Sequence, residues 1–344
     1  QGTRRMANNR DIVVLSAVRT AIGTYGGSLA GTPPTQLAAI CVKAAVERAG
    51  LEPADVGHAA FGNVIHTEPR DMYLARVAAV NGGLPVETPA FTVYRLCGSG
   101  LQAIVSAAQL LLLGYAECAV AGGAECMSRG QYWIPGMRFG QRMGDAQVID
   151  AMVGALTDPF DDCHMGITAE NVADKWDISR EQQDALAVES QQRAARAIQA
   201  GYFKDQIVPI EVRQKRETVA FDTDEHVRAQ ATVESLAKMR PVFRKDGSVT
   251  AANASGINDA AAALVLMAGE VAASRGLKPM ARLVGYGFAG VEPKYMGIGP
   301  VPATRKLLER LDLGIDDIDV FEVNEAFAAQ ALAVAKDLDL PPEK

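Results

Sequence analysis

Histidine and cysteine are scarce, with four and five residues in a chain of 344. The histidines, His58, His66, His164 and His226, show no metal-ligand spacing, and no His-Glu-x-x-His motif occurs. The cysteines, Cys41, Cys97, Cys118, Cys126 and Cys163, are odd in number and none form a Cys-x-x-Cys pair. A disulfide scaffold and a zinc ribbon are therefore not expected, and a reducing cytoplasm fits. Basic surplus is also missing: Lys plus Arg total 34 against 41 Asp plus Glu, a net charge of −7. A general nucleic-acid binder shows the opposite balance. Long apolar runs are lacking too. The most apolar stretch, 101–123, is broken by Gln102, Ser106, Gln109, Gly114 and Glu117, short of the ~18 residues of a membrane span. No signal-peptide pattern is visible, and residues 1–5 before Met6 read as a tag remnant. There is no Walker A loop, and Gly297-Ile298-Gly299-Pro300 lacks the third glycine of a dinucleotide fingerprint.

What is present suits an α/β enzyme. Apolar residues make up 49% and glycines number 32. The length predicts two domains at roughly 150 residues each. A continuous apolar run, 11–18, predicts a strand covered on both faces. A helix follows over 36–49, closed by Gly50. Strands are expected at 58–62, 91–94 and 118–121, with a buried helix over 101–113. This alternation implies a parallel sheet with helices on its faces. Residues 127–145 have no period and read as a long functional or interfacial loop. Ser179-Arg180-Glu181-Gln182 is a capping box that opens a helix to about Ala200. A strand is expected at 206–213, an exposed charged region over 213–230, and an Ala-rich helix after the polar turn 253–259. α/β character returns at 256–266 and 281–286. A helix over 304–310 then leads to a strand at 318–323, and Asn324 opens another helix.

Cys97 lies in Leu96-Cys97-Gly98-Ser99-Gly100, between an expected strand and an expected helix. The positive end of a helix favours a thiolate, the reactive form of a thiol. Two readings stand: a nucleophile, or a small buried residue in a tight turn. Asn324 follows a strand at its carboxyl end, where open α/β sheets place ligands, and it can equally be a plain helix cap. His164, before Met165 and Gly166, could border an acyl pocket or be a solvated loop residue. Arg213, Lys215, Arg216 and Arg228 could meet phosphates, with a solvated charged face as the default reading.

Six segments resemble those of thiolases, in order and at the family's spacing. They are Val18–Gly23, Leu96–Gly100, Ala121–Glu125, His164–Gly166, Asn253–Gly256 and Asn324–Phe327. The stretch 62–72 is similar to that of bacterial biosynthetic β-ketothiolases. The resemblance implies a five-layered αβαβα fold of two similar halves with an inserted loop domain. It places the N-terminal half at 6–126 plus 252–278, the loop domain at 127–251 and the C-terminal half, incomplete, at 279–344. It implies an acyl-CoA acyltransferase that condenses acetyl-CoA with acyl-CoA and cleaves 3-ketoacyl-CoA. Cys97 would carry the acyl thioester, and Asn324 would hold a water in an oxyanion hole. His164 and Met165 would border the substrate, Phe243, Ser255 and Gly256 the pantetheine arm, and Arg228 the adenine nucleotide. Coenzyme A thioesters are substrates, and no cofactor, metal, nucleic-acid or membrane partner is implied. Residues 127–145 would join two dimers into a homotetramer.

The family also carries Gly-His-Pro and Cys-x-Gly motifs, which supply a base and a second cysteine. Neither occurs in these 344 residues. The expectation is a C-terminally shortened chain, nearly inactive in condensation. Two rivals remain: a non-catalytic CoA-binding or assembly scaffold of the same fold, and a decarboxylating condensing enzyme, against which the Asn324–Phe327 segment argues.

Overall fold

The computed structural model describes residues 10–214 and 216–344, with Gln214 described in its backbone alone. Residues 1–5, read above as a tag remnant, Met6 and Lys215 lie outside the described residues. The chain divides into two compact units. The first holds residues up to Ala155, Phe203–His226 and Ile257–Val284. The second holds Leu156–Tyr202, Val227–Gly256 and Gly285–Lys344.

The first unit is built on one sheet. Its strands are β1 (Ile12–Arg19), β2 (His58–Gly62), β3 (Ala90–Val93), β4 (Cys118–Cys126), β5 (Asn258–Ala268) and β6 (Ala281–Arg282). Their order is β6-β1-β5-β4-β2-β3, and the short Gly23–Thr24 strand also pairs with β5. β2 runs parallel to β3 and β4, whereas β5 is antiparallel to β1 and β4. The sheet is mixed, not the parallel one expected.

β5 also replaces the Ala-rich helix expected after the 253–259 turn. Alanine favours helix in isolation. Here the segment lies between two strands, so its backbone groups are paired on both sides. Its thin side chains permit a close fit: a Cβ on Gly122 would lie 2.0 Å from the Ala262 carbonyl oxygen. Pairing across the sheet outweighs the local preference.

Helices cover both faces of the sheet. α1 (Pro34–Arg48) and α2 (Leu74–Asn81) pack with Val13, Ala59, Phe61 and Val120. α3 (Ser99–Leu112) packs with Ile12, Ala60, Ala119 and Ala121. The alternation is the two-residue period of a strand buried on both sides. Gly50 follows α1 with φ +68°, as its place after the helix requires. The strand expected at 206–213 is the first arm of a hairpin, Ile210–Gln214 with Glu217–Phe221. Residues 127–145 are irregular, and Phe139 and Met143 are 89% and 91% exposed.

The second unit is helical in its core. α4 (Met165–Lys175), α5 (Arg180–Ala200), α6 (Pro300–Leu311) and α7 (Ala328–Asp337) are its main elements. Val172, Ala173, Ile298, Val301, Ala329, Ala333 and Val334 form one apolar cluster. α5 opens on the expected capping box: the Ser179 hydroxyl accepts the Gln182 N–H at 3.2 Å, and Gln182 Oε1 accepts the Ser179 N–H at 2.8 Å. The strand expected at 318–323 does not form, and 283–286 continues no ladder beyond Arg282. A strand pattern becomes a strand only beside a partner. The Phe321 N–H instead donates to the Lys344 carbonyl.

Candidate active site

The two units each carry part of the candidate set. Cys97 belongs to the first. It sits in a single turn of 3₁₀ helix, Leu96–Gly98, directly ahead of α3. Its thiol is exposed, which removes the reading of a small buried residue. Leu96 has φ +44°, a left-handed conformation that costs a non-glycine residue about 1–3 kcal/mol. The Ser99 hydroxyl accepts the Arg95 N–H at 2.8 Å and donates to the Leu96 carbonyl at 2.7 Å. One side chain thus braces the turn around the thiol.

The turn rests on bare backbone. A Cβ on Gly62, at the end of β2, would lie 2.6 Å from the Ser99 carbonyl carbon. A Cβ on Gly123 would lie 3.5 Å from the Gly100 Cα. Only glycine at Gly62 lets α3 begin this close to the sheet.

The other thiols differ. Cys41, Cys118 and Cys126 are buried. Burial pushes the thiols of Cys41 and Cys118 up to about 12 and that of Cys126 higher still. Cys163 is half-buried, and desolvation with the nearby carboxylates of Asp158, Asp161 and Asp162 holds its thiol up. A thiolate is disfavoured at each of these four.

The second unit gathers His164, Met165, Phe243, Ser255, Gly256 and the Asn324 segment. His164 is the N-cap of α4, and its Nδ1 accepts the Gly166 N–H at 3.0 Å. An accepting Nδ1 places the ring proton on Nε2. Burial holds the imidazole below its usual range, so the neutral ring is favoured. His164 stacks on Phe243 at 4.6 Å between centroids, and Phe243 meets Phe327 edge-on at 6.3 Å. Gly166 leaves room for that stack: a Cβ there would lie 2.2 Å from the Phe243 ring. The Met165 N–H donates to the Leu156 carbonyl at 2.7 Å.

Two backbone bonds tie the remaining motifs together. The Ser255 N–H donates to the Ala326 carbonyl at 3.0 Å, and the Ala328 N–H to the Asn253 carbonyl at 2.9 Å. Ala254 and Phe327 form an antiparallel bridge. Asn324 is exposed and precedes α7, whose N-cap is Phe327. It therefore caps nothing and opens no helix, contrary to expectation. Gly256 is half-buried beside exposed Ser255. Arg228 is exposed, and its backbone N–H donates to Gln191 on α5 at 2.7 Å.

A buried carboxylate that the sequence motifs do not single out supports this cluster. Glu170, on α4, accepts the N–H groups of Ser248 and Val249 and the Ser248 hydroxyl. It fixes the loop that presents Phe243. Its only signal in the sequence is a charged residue within an otherwise apolar helix stripe. Asn253 adds a second tie, donating to Asp184 at 3.0 Å and to the Ser248 carbonyl at 3.1 Å.

A sheet covered by helices, with one exposed thiol at a braced turn before a helix, is the frame of an α/β enzyme that works through a cysteine. The thiolase N-terminal domain model matches residues 12–270 and the thiolase C-terminal domain model matches 277–344. The chain belongs to the thiolase family, and its fold is the thiolase fold. It is similar to beta-ketothiolase BktB of Cupriavidus necator, at 62% identity over 336 residues, 97% of this chain and 85% of that protein. It is similar in structure to the Bacillus anthracis acetyl-CoA acetyltransferase, with a TM-score of 0.94 and 48% identity over 97% of this chain and 85% of the other. Human mitochondrial 3-ketoacyl-CoA thiolase in complex with CoA superposes with a TM-score of 0.93 and 44% identity over 96% of this chain and 83% of that one. The chain is thus a thiolase-type acyltransferase. No helix among the described residues is long and apolar enough to cross a membrane.

Proposed function

We propose that this protein catalyses reversible condensation and thiolysis of 3-ketoacyl-CoA through an acyl thioester on Cys97. The exposure of this thiol at the start of α3, beside four disfavoured thiols, carries the reading. In the first half-reaction the Cys97 thiolate attacks the thioester carbonyl. The CoA sulfur leaves as thiolate, and acyl-Cys97 forms. In the second, a base of the kind the family's Gly-His-Pro and Cys-x-Gly motifs supply takes the α-proton of acetyl-CoA, and the enolate attacks acyl-Cys97. 3-Ketoacyl-CoA forms as Cys97 leaves as thiolate, which that proton can return to the thiol. A water held by Asn324 would receive the charge of the enolate oxygen in one oxyanion hole, and the Cys97 N–H would belong to the other hole. His164, Met165, Phe243, Ser255 and Gly256 border the pantetheine, with Arg228 toward the nucleotide. The BktB relative and the CoA-bound thiolase support the substrate class.

Self-association belongs to this reading. β3 is the last strand in the order of the sheet, and Tyr94, which follows it, and Leu101, in the first turn of α3, are 61% and 72% exposed. Exposed edges and apolar patches call for a partner. A second copy of the chain at this edge, and the 127–145 loop between dimers, would give a homotetramer acting in the cytoplasm.

The test is intact-mass measurement after mixing residues 1–344 with acetyl-CoA, alongside acetoacetyl-CoA thiolysis. We expect one acetyl group on Cys97 in the wild type and none in Cys97→Ser. Acylation that persists in Cys97→Ser overturns the assignment. CoA binding without acylation favours the scaffold. Reading acylation apart from turnover also checks the expectation of slow condensation.

A further inference from the structure

Glu125 is the one charged residue of β4, a strand otherwise made of small and apolar residues. Its Oε2 accepts the Val64 N–H at 2.9 Å. Its Oε1 accepts the Ile65 N–H at 3.0 Å and the Asn63 side-chain amide at 3.1 Å. The same amide donates to the Ala124 carbonyl at 3.0 Å. These bonds hold the segment that leaves β2 directly after Gly62. Gly62 and Gly123 form the floor on which Ser99 and Gly100 sit, and the Ser99 hydroxyl braces the backbone around Cys97. An unbroken line of contacts thus runs from the carboxylate to the thiol's turn.

We propose that Glu125 is a positioning residue for Cys97, its carboxylate fixing the Gly62–Ile65 segment on which the turn that presents the thiol is seated. The proposal rests on the reading of Cys97 as nucleophile. Hydrogen bonds to an ionised acceptor are about twice as strong as neutral ones, so the clamp is tightest when Glu125 is charged. Burial pushes the carboxyl up to about 7. The N–H groups of Ile65 and Val64 pull it down, and the Asp71 carboxylate pushes it up further. Tyr94 and Cys126 also face it. The Tyr94 phenol is raised by burial and by Glu125, and the Cys126 thiol chiefly by burial, so neither ionises near neutrality. Glu125 changes charge in the range where the thiol must work. Protonation spends one of its oxygens on a hydroxyl and slackens the clamp.

The test follows Cys97 itself, using iodoacetamide on the full chain and locating the label by peptide mass spectrometry. Rates are compared for wild type, Glu125→Gln and Glu125→Ala, with melting temperatures alongside. We expect a step near neutral pH in the wild-type rate, beyond the thiol's own titration, and no such step in Glu125→Gln. That variant should match wild type at about pH 6 and react about tenfold more slowly at about pH 8.5, the scale of a lost charge-assisted bond. Should Glu125→Ala fail to fold, the near-isosteric Glu125→Gln decides. Identical rates and profiles in wild type and Glu125→Gln overturn the positioning role while leaving the nucleophile intact. If Cys97 labels no faster than Cys163 in the wild type, the nucleophile reading fails first and takes the positioning role with it.

Discussion

At the scale of the residue, the chemistry of this chain is a matter of which groups are denied their usual state. Four thiols are kept protonated by burial or by carboxylates, and one is left at the surface. His164 is held neutral in the same way. The sign of its effect on stability follows from linkage. Its folded form resists protonation, so the unfolded chain binds the proton first as pH falls. Stability from this group is complete above 6.5, its ordinary value, and drains away below it. His164→Asn keeps an N-cap acceptor but does not titrate. Chemical denaturation should therefore show wild type losing more stability than His164→Asn between about pH 7 and about pH 5. Parallel curves over that range would remove the histidine from the account. From the residues alone Cys97 kept two readings and His164 read as a solvated loop residue; the roles proposed for both come from the thiolase resemblance. Glu125 and Glu170 were not given roles. Their partners, 60 and 78 or more residues away in sequence, are set by the fold and not by spacing.

Among the elements, the instructive case is β5. Its composition reads as helix and its place in the sheet makes it a strand. The capping box at Ser179, by contrast, is a local signal, and α5 begins at Arg180 as the sequence requires. Asn324 shows the reverse error: its type fits a cap, yet α7 starts at Ala328 behind Phe327. A reciprocal capping box, with two side chains bonding within four residues, survives; a single cap-type residue, or a pattern that depends on a distant partner, does not. The loop carrying Phe243 is an element of the second kind, held by Glu170 from α4. Removing that carboxylate leaves the Ser248 and Val249 donors without their acceptor. Glu170→Ala should cost about 2–4 kcal/mol and raise KM for acyl-CoA. Its acetylation at saturating acetyl-CoA should stay near wild type, since Cys97 is in the other unit. A fall in saturated acetylation with KM unchanged would count against a binding role for the loop.

For the molecule as a whole, the fold class and the order of motifs were legible, and the strand directions were not. Alternating helices and strands imply parallel pairing only when consecutive strands are neighbours. Here β5 separates β1 from β4. The β3 end of the sheet is also a whole-molecule feature. Leu101, in the first turn of α3, is 72% exposed. Leu101→Glu should leave the monomer's melting temperature within about 0.5 kcal/mol equivalent, as a surface change does, and shift the light-scattering mass downward. An unchanged mass would move the interface elsewhere.

The position of β5 also sets an order of events. β1 is synthesised first, at Ile12–Arg19, but its ladder partners are β5 and β6, at Asn258–Ala268 and Ala281–Arg282. A ribosome must make more than two hundred further residues before the sheet can close around its first strand. Until then β1 and β4 both wait with an open flank where β5 will enter. Contacts this distant in sequence slow folding, and waiting flanks invite wrong partners. The nascent chain therefore carries these two flanks unpaired through most of its synthesis, until one late, alanine-rich strand arrives.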